Sequence, residues 1–139
     1  MRCARLTNTL LFLAATLVLA SRPAAAAGPE FNYLLHCGGC HLEDGSGMPP
    51  GIPDLRIDMG YLASFDEGRS YLVRVPGIVH APMTDAQISD VMNWMLRTYV
   101  GHLVDLEAYT EEEVARYRHK VLLDPLALRK RLLEKVQRD

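Results

Sequence analysis

The chain has 139 residues, with 15 Lys and Arg set against 17 Asp and Glu, and only three cysteines. That length suits one small domain and falls below the size at which two cores are expected. The slightly acidic balance argues against nucleic acid as a partner.

The first segment reads as an export leader. Arg2 and Arg5 precede an apolar stretch from Leu6 to Ala20, and the alanine run up to Ala27 offers several Ala-x-Ala sites. This is the pattern of a secretory signal peptide cleaved near Ala26 or Ala27, which predicts a periplasmic protein. The alternative, an uncleaved membrane anchor, needs about 20 consecutive apolar residues, and this core is shorter. Cys3 leaves with the leader, so Cys37 and Cys40 are the two mature cysteines. Loss of Arg2, Arg5 and Arg22 gives 12 basic and 17 acidic residues, a net charge of −5. Segment 28–100 alone carries −5, whereas 101–139 holds eight residues of each sign, split into −5 over 101–115 and +5 over 116–139.

A first helix is predicted from Glu30 to Gly38, with Phe31, Leu34 and Leu35 on one face. It leads into Cys37-Gly38-Gly39-Cys40-His41. Cys-x-x-Cys-His is the attachment signature of c-type haem, in which each thiol adds to a vinyl group and the imidazole becomes the proximal ligand. Two intervening residues on a helical turn put both sulfurs along one porphyrin edge, and Gly38 and Gly39 keep that turn free of side chains. A thioredoxin-like dithiol would need a βαβ setting, which is not indicated here. A structural zinc site would need four ligands, and there is no second Cys pair.

Residues 42–51 read as a Gly- and Pro-rich loop, followed by Pro53-Asp54-Leu55. Ser64 to Glu67 forms a capping-box pattern, with Ser64 as N-cap of a helix that Pro76-Gly77 stops. A second capping box, Thr84 to Gln87, opens the best-defined helix, in which Ile88, Val91, Met92, Met95 and Tyr99 recur at helical spacing. No stretch alternates as a strand would, so the fold class is all-α.

From about Glu30 to Tyr99 the order of these motifs resembles a class I monohaem cytochrome c. That resemblance implies a helical fold around one covalently bound haem c over 28–100. Residues 1–27 form the leader, and 101–139 form an extension outside the resemblance. It implies that the carbonyl of Pro53 accepts a hydrogen bond from His41, fixing the ring and tuning its basicity. It also places the distal methionine at Met83, after Pro82 on the loop entering the last helix. A thioether there favours Fe(II) and raises the potential. The rivals for that position are His80 on the same loop and Met59 beyond Pro53. Met48 lies too close to the proximal side, and Met92 and Met95 read as core filler. His36, His102 and His119 complete the inventory. Arg69, Tyr71 and Arg74 are candidates to hold the haem propionates, with solvated helix positions as the alternative. Trp94 is expected against the first helix or the haem edge.

The extension carries a third capping box at Thr110 to Glu113, then Asp124-Pro125 as the start of a helix with a Leu128, Leu132, Val136 stripe and Leu133 beside it. Two C-terminal helices are therefore expected. They are read first as a wrap over the preceding domain, with a docking arm for a redox partner or a basic helix on a membrane surface as alternatives. The function implied is one-electron transfer by a periplasmic carrier with His/Met ligation, and not an enzyme. The alternatives are a dedicated electron-accepting subunit of a dehydrogenase or oxidase, and a haem enzyme or gas sensor with an open distal site. The partners implied are redox proteins, donor and acceptor.

Overall fold

A computed structural model describes residues 27–101 and 106–136. Residues 1–26, on which the expected leader falls, residues 102–105, His102 among them, and residues 137–139 lie outside that range. Among the described residues the structure is helical with no strand, only an isolated antiparallel bridge between Met48 and Ile52. This agrees with the all-α expectation. The order is α1 (Pro29–His36), α2 (Gly38–His41), α3 (Leu55–Leu62), α4 (Asp66–Leu72), α5 (Pro76–Val79), α6 (Asp85–Met95), α7 (Glu111–Tyr117) and α8 (Pro125–Val136), with α6 running on as a π-helical turn through Leu96–Val100. Among the described residues no helix is long and apolar enough to cross a membrane.

Helix α6 starts where Thr84 and Gln87 require. The Thr84 hydroxyl accepts from the Gln87 N–H, and the Gln87 side chain accepts from the Thr84 N–H, satisfying two orphan donors at once. Its apolar stripe forms the centre of the core, with Ile88, Val91, Met92 and Met95 all buried. Gly60 of α3 lies so close to Val100 at the end of the π-helical turn that a Cβ there would collide with the valine side chain. The missing side chain lets the two elements cross at short range.

Expectations change on α4 and on α1, and Pro76-Gly77 opens α5 rather than only ending the helix before it. Helix α4 does not begin on Ser64: Phe65 occupies the N-cap without a side-chain bond. Ser64 is still part of the turn closing α3, where its N–H and hydroxyl both donate to the Tyr61 carbonyl. On α1 the residues Phe31, Leu34 and Leu35 are exposed, and the helix docks through Tyr33, which is 0% accessible. The Tyr33 ring packs on Trp94 at 5.1 Å and Tyr99 at 5.5 Å between centroids, and its hydroxyl donates to the Leu42 carbonyl at 2.7 Å. Trp94 thus meets the first helix.

The extension folds back on the segment before it. Leu132 is 2% accessible and Leu128 and Leu133 pack against the core, while the side chain of Val136 lies outside the described set. Three arginines make the join. Arg69 on α4 donates to both carboxylate oxygens of Glu113 at 2.7 and 2.6 Å and to the Glu107 carbonyl at 2.8 Å. Arg74 donates to the carbonyls of Lys120 and Val121. In the opposite direction, Arg118 at the end of α7 donates to the carbonyls of Ile78, Ala81 and Met83 and to Asp85. Because Glu113 is committed to Arg69, only half of the third capping box forms: the Thr110 hydroxyl accepts from the Glu113 N–H. Arg69 and Arg74 are therefore tail anchors here.

Arg118 is 5% accessible and serves three backbone acceptors, so its loss strands polar groups in the interior. Replacing it with methionine, which keeps the bulk, should cost about 2–5 kcal/mol. Chemical denaturation with a midpoint within error of the parent would contradict this.

Candidate functional site

The loop of residues 42–54 holds the first element of the site. Gly47 adopts φ +65°, and a Cβ there would meet the carbonyls of Ile52 and Pro53. Only glycine reconciles that backbone with its surroundings. Its N–H donates to the His41 carbonyl at 3.0 Å, and the Met48–Ile52 bridge closes the loop with two 3.0 Å bonds. Leu55 N–H donates back to the Gly45 carbonyl, and the Tyr99 hydroxyl donates to that of Glu43. These bonds bring Pro53 against the motif histidine: Nδ1 of His41 lies 3.1 Å from the Pro53 carbonyl oxygen. A carbonyl only accepts, so this bond puts the proton on Nδ1 and leaves the Nε2 lone pair free. Burial pulls the imidazole below its usual pKa, against the smaller upward pull of the Pro53 bond, which keeps the ring neutral. A neutral ring with an oriented free nitrogen is what a metal ligand requires.

Cys37, Cys40 and His41 open onto a cavity of about 560 Å³, within the size range of cofactor pockets. Its walls are mostly apolar, including Leu55, Leu62, Leu72, Val75 and Ile78. The two cysteines are not bonded to each other, and Cys40 is exposed at the rim. Burial, with a further push from Cys40, raises the Cys37 thiol to about 11. That is the reverse of the low pKa found in reactive dithiols. A Cβ on Gly39 would meet no protein atom, so the protein's own packing does not demand a glycine there.

The methionines separate clearly. Met59, 2% accessible, lines this cavity together with Met92 and Met95. Met83, expected at the distal position, is buried but does not line it. Arg118 holds the Met83 carbonyl at 2.7 Å, and the Met83 N–H closes a tight turn onto Ala81. Exposed His80 is also absent from the lining. Among the residues proposed for the propionates, only Tyr71 faces the cavity.

Sequence reasoning missed helix α3, which carries Met59. Asp54 caps it, its carboxylate accepting from the Arg56 N–H at 2.9 Å. An N-cap aspartate after a proline was the available signal. It also missed Asp58 and, from the extension, Arg129, which both line the cavity and form an ion pair with each other.

No protein-family model, curated protein or solved structure matches the chain.

Gly47→Ala should lower stability by about 1–3 kcal/mol, through the left-handed backbone and the clash with the Pro53 carbonyl. Gly51→Ala in the same loop, where nothing lies within 4 Å of the added carbon, should stay within about 0.5 kcal/mol of the parent. Thermal melts of the two variants check the contrast.

Proposed function

We propose that this chain is an extracytoplasmic one-electron carrier with a single covalently attached c-type haem. The observation that carries the reading is the convergence of both thiols and an oriented, neutral imidazole on one apolar cavity. The donor set fits that group. Two sulfurs at the rim suit thioether attachment, and His41 presents an unprotonated nitrogen. The cavity is large enough for a cofactor and presents little polar surface. When bound, the haem supplies the Fe(III)/Fe(II) couple.

The residues of the chain do the rest. Cys37 and Cys40 fix the macrocycle, and the Pro53 carbonyl holds the His41 ring and raises its basicity as a ligand. Met59 would hold the iron together with His41, in preference to Met83, because its side chain lines the cavity and that of Met83 does not. The leucines and valines around it would limit water at the metal, and a thioether ligand would favour the reduced state. No substrate bond is made or broken. Partners are redox proteins that meet the exposed Cys40 rim. The net charge of −5 over 28–100 would steer a basic partner toward it, more strongly at low salt.

Mass spectrometry of the exported protein should show a chain starting near Ala27 or Gly28 and heavier by one haem. The pyridine haemochrome spectrum should be that of saturated vinyl positions. Haem extractable by acidic organic solvent would sink the reading.

The ligand assignment has its own test. Met59→Ala should abolish the thioether-to-iron charge-transfer band of the ferric protein and lower the potential, whereas Met83→Ala should keep the band. The opposite pattern would return the distal position to Met83.

A further inference from the structure

Charge is scarce around the cavity, and its distribution is informative. Beside the imidazoles of His36 and His41, the acidic and basic side chains that line it are Asp54, Asp58 and Arg129. Asp54 is already engaged, since its two oxygens accept from Nε and Nη2 of Arg56 at 3.0 and 2.7 Å. That leaves one corner where Asp58 of α3 and Arg129 of α8 form a partly buried ion pair, with side-chain accessibilities of 22% and 25%. Tyr71 of α4, 4% accessible, lines the same cavity and feels both charges. Its hydroxyl is raised above its ordinary pKa by burial first, so it remains a donor. Arg129 is the one lysine or arginine among the lining residues described. It is contributed by the extension, the part of the chain to which no role in the site attaches.

A haem fixed at Cys37 and Cys40 brings two propionate carboxylates. Taking carboxylates toward an apolar interior is unfavourable unless a cation and hydrogen-bond donors meet them. Among the described residues Arg129 bonds Asp58 through Nη2 alone. A guanidinium carries five N–H donors in a planar fork, so a second carboxylate can be held on its remaining edge.

We propose that Arg129, assisted by the Tyr71 hydroxyl, binds a haem propionate, so that the C-terminal helix completes the cofactor site as well as covering the core. This rests on the haem reading above. Arg129 is a binding residue for the carboxylate end of the cofactor, and Asp58 orients it from the other side. The extension then acts on the redox centre through charge: a fixed cation beside the propionate keeps it ionised and opposes the extra positive charge of the ferric state.

The test is the reduction potential of the full-length, haem-loaded protein from about pH 5 to 8, with haem-to-protein ratio and melting temperature measured alongside. The parent should show a nearly flat profile. Arg129→Gln should lower the potential at neutral pH. It should also introduce a pH-dependent fall, as the unpaired propionate now titrates within the window. Arg129→Lys should restore most of the parent profile, and Tyr71→Phe should produce a smaller slope of the same sign. His36 also lines the cavity, so each comparison is repeated in a His36→Gln background. Asp58→Asn removes the ion pair but keeps the cation, and should leave the profile flat. If Asp58→Asn reproduces Arg129→Gln, Arg129 acts only by latching α8, and the proposal is overturned. It is equally overturned if the Arg129→Gln profile superimposes on the parent. Should Arg129→Gln fail to fold, Arg129→Lys and Tyr71→Phe decide: two flat profiles at the parent potential overturn it. A parent protein without covalent haem would defeat the underlying reading, whereas a loaded parent with insensitive variants defeats this inference alone.

Discussion

One hydrogen bond organises the site: the carbonyl of Pro53 on the ring of His41. It crosses a loop of a dozen residues whose other features serve to hold that carbonyl still. Gly47 gives the backbone its turn, the Met48–Ile52 bridge pins the two arms, and the Tyr33 and Tyr99 hydroxyls tie Leu42 and Glu43 to the helices behind them. Without this fixed acceptor the imidazole could adopt either tautomer and several orientations. The cavity would then lose its one pre-aimed nitrogen. The rest of the fold can be described as walls arranged around that nitrogen.

The walls come from both ends of the chain. Helices α3, α4 and α6 contribute the apolar surface, and α8 closes one corner with Leu126 and Arg129. The apolar stripe of α8 is turned inward, with Leu132 buried and Leu128 beside it, so the face a lipid surface would need is occupied by the protein's own core. The opposite charges found in segments 28–100 and 116–139 do meet, in contacts such as Arg129 with Asp58 and Lys135 with Glu67. The first of these lies where partial burial gives it weight, as does the Arg118–Asp85 pair, whereas the second is exposed.

Legibility followed how local each signal was. The Thr84 capping box and the Asp124-Pro125 helix start are each written in two to four consecutive residues, and the helices form where those residues predict. Helix α3 was invisible because Arg56 and Asp58 interrupt its apolar pattern, Ile57 puts an apolar side chain on the exposed face, and Met59 and Leu62 alone are buried among its large side chains. Ser64 misled because serine closing one helix looks the same as serine opening the next. The apolar residues of α1 suggested a buried face, but a single tyrosine with two aromatic partners docks that helix instead. Which methionine faces the cavity is set by packing between segments far apart in sequence: Met59 lines it and Met83 does not. No local pattern encodes it.

The grip of the tail has a further consequence for how substitutions are tolerated. Arg69, Arg74 and Arg118 reach mainly for main-chain oxygens, at Ala63, Ile78, Ala81, Met83, Glu107, Ala108, Lys120 and Val121. A carbonyl is offered by any amino acid, so these eight positions can change identity without withdrawing the acceptor, provided the backbone path is kept. The three guanidiniums have no such freedom, since no other side chain spans the same distance with a fork of donors. Robustness is thus concentrated on one side of the joint and fragility on the other. A saturation scan of the joint would map that asymmetry as three intolerant arginines facing permissive acceptors at Glu107, Ala108, Lys120 and Val121, with the buried Ala63, Ile78, Ala81 and Met83 limited by packing instead.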